Sequence, residues 1–514
     1  MNGAESLVQT LADQGVDICF ANPGTSEMHF LKALENPLMR SVLCLFEGVC
    51  TGAADGYYRM KETPASTLLH LGPGLANGLA NIHNAKRASS GMVNIVGEHS
   101  AAHLKYDPPL TSDIEGLARP LSHWVRRVES PSAVAWDVAT AVSKASEHPG
   151  QIATLILPGD TSWQDAGERA VLPRTPARAK APDAARIEHI AQVLRSGEPT
   201  LIVLAGRSTR GRALEWVGKV KAATGCRVAT QFFSSRIERG AGRVTLERIP
   251  YAVGLAVEYL KGFRHIVTVE TTEPIAFFSY PDKPSLLKSP GTSVHALVEI
   301  GEDGAAGLEM LVEALGAASS AAVLQQRSDA PPPSGALTPA TIAQALAAAL
   351  PENCVLVDES LTTGREMMGL TVGAAPHDLI NNMGGSIGYG TPVATGAALA
   401  CPDRRVFCMV GDGSAMYTIQ SLWTQAREGL NITTIIFANN SYAILKAEYA
   451  NMGAGAPGVR ALAMIDIDRP RIDWLAMAKS MGVPALAVDT AEAFHKAMAD
   501  SVNEPGPCLI EVRL

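Results

Sequence analysis

Arg405-Val-Phe-Cys-Met-Val-Gly-Asp-Gly-Ser414 and Thr433-Thr-Ile-Ile-Phe-Ala-Asn-Asn-Ser-Tyr442 are the two runs whose reading decides how this chain folds. Each is a short apolar stretch that stops abruptly at small or polar residues, the mark of a strand running out of a core. The stretch between them, AMYTIQSLWTQAREGL from Ala415, reads as a helix. A strand, a helix and a second strand in that order build a parallel pair, so both strand ends lie at the same carboxyl edge of a sheet.

That edge is where open α/β sheets hold their ligands. Gly411 and Gly413 let the backbone approach a bound group closely. A helix start carrying Ser414 favours a diphosphate. Asp412 and the side-chain oxygen of Asn439, 27 residues further on, are hard oxygen donors of the kind Mg²⁺ prefers. A lone Gly-Asp-Gly-Ser is an ordinary turn; the same turn followed by helix, strand and Asn is a much stronger signal.

The pattern repeats outward. VDICFANPG, SVLCLFEG, STLLHLGPG, MVNIVGEH and IATLILPGD occupy the first third of the chain, with helical stretches such as Gly52–Met60 and Ala76–Arg87 between them. Residues 165–183 are rich in Arg, Ala and Pro without a period and read as a linker. Strands at Thr200–Ala205, Arg227–Gln231 and His265–Glu270 mark a second unit. SDAPPPSGAL from Ser328 is a proline-rich spacer, and a third unit follows with CVLVDE and PCLIEVRL among its strands. The expectation is three doubly wound, parallel-sheet α/β domains, at 1–165, 184–327 and 338–514.

Composition bounds the function. The 514 residues are 47% hydrophobic and 18% charged, with a formal charge of −8, which fits a packed globule and excludes a disordered chain. No dense Lys/Arg stretch suggests nucleic acid or a polybasic membrane patch, and no apolar run reaches the about 20 residues of a membrane span. The first residues lack the pattern of a signal peptide. The eight cysteines sit mostly in apolar runs without CxxC spacing and read as buried thiols, so a cytoplasmic location is expected.

The Gly411-Asp412-Gly413 … Asn439 arrangement resembles the signature of the thiamine-diphosphate family, and the chain is similar over nearly its whole length to the acetolactate synthase and benzoylformate decarboxylase branch. The resemblance implies a pyrimidine-binding, a central and a diphosphate-binding domain, with thiamine diphosphate and Mg²⁺ as cofactors. It implies Mg²⁺ ligation by Asp412, an Asn side chain and the backbone carbonyl two residues beyond it. Matching Tyr442 to the family tyrosine makes Asn439 and Ser441 the other ligands; Asn440 is the alternative. The AADGYYR run after Glu47 is similar to the family segment whose carboxylate faces the aminopyrimidine ring and drives deprotonation of the reactive carbon. A Glu after a strand is otherwise an ordinary residue at a helix start.

Further site residues follow from the same likeness. Asn22-Pro23-Gly24-Thr25 and the turn His70–Gly74 are expected to close over the cofactor, with His70 as a proton shuttle aligned with an active-site His of benzoylformate decarboxylase-like enzymes. Asn77 either bonds within the site or caps the nearby helix. Beside Gly385, Ile387 occupies the position that props the cofactor into its bent shape, or is a core Ile beside a turn. Ile444, with Leu445 and Glu448, is expected on the pocket wall after Tyr442, and Lys446 is either a substrate contact or solvated.

The chain departs from both relatives. The Pro274–Pro284 segment has no His, only Ser279, where a second active-site His is found in the decarboxylase. The loop YDPPLTSD lacks the Gln of acetolactate synthases, and Gly206-Arg207 is too slight a likeness for FAD to be expected. The reading is a 2-oxo acid decarboxylation followed by carboligation. Release of an aldehyde is the alternative, and a flavin-dependent oxidase a further one. A homodimer at least, commonly a homotetramer, is implied by the resemblance.

Overall fold

The computed structural model describes residues 1–167, 178–329 and 331–514. Most of the expected linker 165–183, and Ala330 of the proline-rich spacer, lie outside the described residues. Three sheets of six, five and seven strands form the frame.

Across the first sheet the strands run Arg40–Leu43, Ile18–Ala21, Ala65–Leu69, Met92–Glu98, Ile152–Pro158 and Trp124–Arg127, all parallel. Every residue of Met92–Glu98 and Ile152–Pro158 is buried, which is why these segments read as unbroken apolar runs: helices cover both faces. The second sheet runs Glu247–Arg248, Arg227–Thr230, Thr200–Leu204, His265–Val269 and Ser293–Val298, also parallel. The third runs Ala485–Val488, Cys508–Arg513, Ile432–Ala438, Val406–Gly411, Cys354–Glu359, His377–Asn381 and Ile237–Arg239.

That last strand is an antiparallel addition at the margin of an otherwise parallel sheet. Ile237–Arg239 comes from within the stretch assigned to the central unit, yet pairs antiparallel with His377–Asn381, placing Arg239 opposite His377. Arg236 donates to Asp378 at 2.7 Å just outside the ladder. One correction concerns Ala415–Leu430. Asp412–Ala415 is a single helical turn, and the helix proper is only Ser421–Arg427. Between them Thr418 sends its hydroxyl to the Gly388 carbonyl at 2.8 Å. Side-chain bonding of this kind competes with helix continuation. The strand expected to run up to Glu47 also stops early, at Leu43.

The first and third units pack through the helices Glu47–Lys61 and Gly390–Ala400. Their small residues set the approach. A Cβ at Gly396 would lie 1.8 Å from the Ala53 carbonyl oxygen, and one at Gly56 would lie 2.0 Å from that of Val393. Each backbone therefore rests directly on the other helix. Beside the crossing, Arg59 is buried and makes a forked pair with Asp55 at 2.6 and 2.8 Å, and also donates to the Asn381 carbonyl at 2.6 Å. The AADGYYR run thus joins the first unit to the third as well as following Glu47.

Candidate active site

The strand Val406–Gly411 delivers Asp412 to the carboxyl edge of the third sheet, nearly fully buried. Its two oxygens accept the backbone N–H groups of Gly413 at 2.8 Å and Asn440 at 2.6 Å, so the turn is tied to the end of the neighbouring strand. Burial raises the Asp412 pKa above the usual carboxylate range, against the pull of those amides. The Asn439 side-chain oxygen accepts from the Ser441 N–H at 3.0 Å, closing a local turn. Asn440 is left-handed, with φ of 55°.

Ser360–Thr363, Gly411–Ser414, Asn439 and Ser441–Ile444 line one cleft; Asn440 is not among its lining residues. The ring of Tyr442 lies where a side chain at Gly413 would go, with Cε1 2.3 Å from the position of a Cβ. Nothing approaches within 4 Å of the equivalent position at Gly411, which leaves backbone open to the cleft. The Ser414 hydroxyl is buried and has no hydrogen-bond partner. A buried, unpartnered donor beside an open backbone is a place waiting for an acceptor such as a phosphate oxygen. The donor set for a cation is one carboxylate with amide and carbonyl oxygens. Among the described residues no cluster of three or more His, Cys, Asp or Glu is placed to hold a metal.

The remaining expected residues gather elsewhere. Glu47 opens the helix Glu47–Lys61 and is 5% exposed. Asn77 lies well inside the helix Leu71–Arg87, so it does not cap it; its amide donates to Glu47 Oε2 at 3.0 Å. His70 stands at that helix's N-cap, and the expected turn His70–Gly74 is in fact the helix's first turn. A Cβ at Gly74 would come within 3.0 Å of Glu47 Oε1 and 3.3 Å of His70 Cβ, so the carboxylate and the imidazole flank the same glycine.

His70 Nδ1 lies 2.9 and 3.1 Å from the two oxygens of Glu27, which is buried and also accepts from Gly24 N–H at 2.8 Å and Ser26 Oγ at 2.6 Å. Asn22, Pro23 and Gly24 are half-buried and Thr25 is exposed, in the turn that carries Glu27 beneath His70. Glu27 escaped the sequence reading. Its signal was its place three residues after Gly24, where a carboxylate reaches back to the preceding backbone N–H.

Ile387 is half-buried on the turn between His377–Asn381 and Gly390–Ala400. Glu359, also unread in the sequence, supports this turn by accepting the N–H groups of Gly388, Tyr389 and Gly390 at 2.7, 3.3 and 2.8 Å; burial lifts its pKa to about 7. Phe277, two residues from Ser279, stands against Gly385, with Cζ 2.8 Å from the position of a Cβ there. It belongs to an aromatic cluster with Phe233, Tyr251 and Phe278. Ile444 lines the cleft, Leu445 is exposed and Lys446 is paired with Asp466 at 2.6 Å. Glu448 keeps one buried oxygen unpartnered.

Two family descriptions match the chain: "Thiamine pyrophosphate enzyme, N-terminal TPP binding domain" over residues 1–118, and the corresponding C-terminal TPP binding domain over residues 366–512. The "Putative acetolactate synthase large subunit IlvX" of Mycobacterium tuberculosis is 48% identical, across 100% of this chain and 99% of that protein. Benzoylformate decarboxylase of Pseudomonas aeruginosa is 28% identical across 98% and 97%. Among solved structures, the 4-hydroxybenzoylformate decarboxylase of Rhodococcus jostii superposes with a TM-score of 0.87 at 23% identity, covering 100% of this chain and 99% of that one, a likeness of fold. The chain belongs to the thiamine pyrophosphate enzymes, as a thiamine-diphosphate-dependent enzyme related to acetolactate synthase and benzoylformate decarboxylase.

Proposed function

We propose that the enzyme removes CO₂ from a 2-oxo acid and joins the remaining acyl unit to a second carbonyl compound, as an acetolactate synthase does. The observation that carries the 2-oxo acid reading is buried Glu47, held by Asn77 beside the Glu27-bound His70. Bound thiamine diphosphate supplies the nucleophilic carbon and the electron sink. Glu47 is the carboxylate that shares a proton with its pyrimidine ring. Ser414 and the open backbone at Gly411 receive the diphosphate. Asp412, the Asn439 side chain and the Ser441 carbonyl hold Mg²⁺; the left-handed Asn440, outside the cleft lining, supports Asn439 over its neighbour. Ile387, Tyr442 and Ile444 shape the pocket.

Carboligation is favoured over protonation by the central segment, which sets Phe277 and not a histidine against Gly385, and by the name of the 48% identical relative. Simple decarboxylation to an aldehyde has one specific observation for it: His70 with Glu27 is a positioned proton donor. Against a flavin oxidase stands Glu270, which occupies the Ser208 N–H and hydroxyl at 2.7 Å, on the turn where a dinucleotide would seat its phosphates.

Glu47 and His70 are absent from the cleft that holds Asp412. We therefore take each complete site to combine the cleft of one chain with the Glu47 cluster of a second copy, in a homodimer or a homotetramer. Exposed Met28, Leu45, Leu361 and Tyr417 supply apolar surface near both halves. Among the described residues no helix is long and apolar enough to cross a membrane; with eight unbridged cysteines, a cytoplasmic location remains the proposal.

The test is metal-stripped protein reconstituted with thiamine diphosphate and Mg²⁺ and offered pyruvate, benzoylformate and other 2-oxo acids. CO₂ release with acetolactate or a hydroxyketone as product supports the proposal. Free aldehyde moves the enzyme to the decarboxylase reading, and cofactor binding without CO₂ from any 2-oxo acid rejects both.

A further inference from the structure

At the amino edge of the central sheet, away from the Asp412 cleft, three histidines and a carboxylate stand in line. His265 is the first residue of the strand His265–Val269, and His295 lies on the neighbouring edge strand Ser293–Val298. His189 belongs to the helix Ala184–Arg195, and Glu198 precedes the strand Thr200–Leu204. None of the four lines the Asp412 cleft.

The register brings the two strand histidines together. His265 pairs with Ser293, so His295 stands two residues further along the same pair of strands. Side chains two apart along a strand share a face. The ring nitrogens then follow one another. Glu198 Oε2 lies 2.8 Å from His265 Nε2, His265 Nδ1 lies 3.1 Å from His295 Nε2, and His295 Nδ1 lies 3.4 Å from His189 Nε2.

A carboxylate only accepts, so Glu198 fixes the proton of His265 on Nε2 and leaves Nδ1 as a lone pair. That lone pair faces a second ring nitrogen. In tetrahedral zinc sites the metal–nitrogen distance is about 2.0–2.1 Å, which sets two ligating nitrogens roughly 3.3 Å apart. The 3.1 Å gap is close to that spacing, so a swing of the rings alone brings both lone pairs onto one ion. Each ring is also backed at its far nitrogen, His265 by Glu198 and His295 by His189, as metal-ligating histidines are. Burial, with the two neighbouring imidazoles, lowers the His295 pKa and keeps that ring in the neutral form that ligates.

We propose that His265 Nδ1 and His295 Nε2 bind a divalent transition-metal ion of the zinc class, with Glu198 and His189 holding the two rings from behind and water completing the shell. Among the described residues no third His, Cys, Asp or Glu makes a protein-only shell, so the ion is exchangeable. His189 is exposed and the other two rings are half-buried, which gives the ion a way in. Arg264 reaches only the other oxygen of Glu198, at 3.9 Å, and leaves Oε2 to His265. Mg²⁺ is a hard ion that prefers oxygen, so it does not compete for paired imidazoles. The bound ion fastens the edge strand to its neighbour and, through the two backing residues, to the helix and turn beside them.

The experiment uses the full chain saturated with thiamine diphosphate and Mg²⁺. Zn²⁺ binding is followed by competition with a chromophoric chelator. One saturable equivalent is expected, and excess Mg²⁺ should not displace it. His265→Gln and His295→Gln, which keep a polar side chain of similar size, should each abolish it. His189→Ala removes only a backing residue and should weaken binding by about tenfold. Hydrogen exchange on the wild-type chain gives a readout free of any folding defect in the variants: Zn²⁺ should slow amide exchange in Ser293–Val298 and leave Ile432–Ala438 unchanged. Absence of a saturable equivalent overturns the proposal. So does an equivalent that both Gln variants retain, which would place the ion elsewhere, for example at the half-buried Cys401 or Cys508.

Discussion

Replacing Glu47 with Gln separates the proton-sharing role of this carboxylate from its place in the fold. The Glu47 side chain is 5% exposed and takes one hydrogen bond, from the Asn77 amide at 3.0 Å. Glutamine has nearly the same volume and keeps an oxygen able to accept that bond, so packing and the Asn77 contact survive. What disappears is the group able to share a proton with the cofactor ring. Positioned acid–base groups contribute roughly 10²–10⁴ in rate, about 3–5 kcal/mol of barrier. Glu47→Gln should therefore lower kcat for CO₂ release by that factor and leave the affinity for thiamine diphosphate within about threefold, since the diphosphate and metal contacts proposed above are assigned to the Asp412 cleft. Asn77→Ala should cost less, about ten- to a hundredfold, the worth of one hydrogen bond to a charged group. The assay is CO₂ release on reconstituted enzyme, with cofactor affinity measured separately by fluorescence quenching. A Gln variant with wild-type kcat would refute the role given to Glu47, whatever the cofactor does.

Four other outcomes follow from contacts already described. Gly24→Ala would set a methyl 2.0 Å from His70 Nδ1 and swing the ring off Glu27; turnover should fall by about a hundredfold, and an unaltered pH–rate profile would show that His70 takes no part. Ser414→Ala removes a hydroxyl that has no partner in the protein, so stability should hold while cofactor affinity drops by about tenfold; equal affinity would remove Ser414 from the diphosphate site. Gly396→Ala drives a methyl into the Ala53 carbonyl at 1.8 Å and should cost about 1–3 kcal/mol in chemical denaturation, a reading that an unchanged midpoint would contradict. Burial and Arg239 hold the His377 pKa down to about 4 from the ordinary 6.5. Between those values the unfolded chain binds a proton the folded chain refuses. The stability contribution is whole above pH 6.5 and is lost as pH falls toward 4. Unfolding free energies at pH 7 and pH 4 should show wild type losing on the order of 3 kcal/mol more than His377→Leu, and parallel losses would argue against the buried neutral imidazole.

The strand ends and the glycine turn were legible because their causes are local. An apolar run such as RVFCMV ends where the sheet's edge meets solvent, and Asp412 and Asn439 stand at two such ends. The helix that Glu47 opens was legible through its small residues, whose reason is the crossing at Gly56 and Gly396. Glu27 and Glu359 were not, because each acts through groups the sequence does not bring near: a histidine 43 residues away, and amides about 30 residues away on another element. The break after Ala415 was hidden for the same reason, since it depends on Thr418 finding the Gly388 carbonyl. Strand Ile237–Arg239 is three residues long and pairs with a partner 140 residues later, and no periodicity records such a register.

That short strand bears on how the protein can be divided. A fragment cut at residue 338 would keep six strands of the third sheet and lose the one that covers His377–Asn381. It would also leave Asp378 without Arg236 and His377 without the segment packed beside it. A bare, buried-type strand at a sheet margin invites pairing with another chain. The C-terminal fragment on its own should aggregate or dimerise along that margin, whereas one carrying residues 227–248 by fusion should stay dispersed.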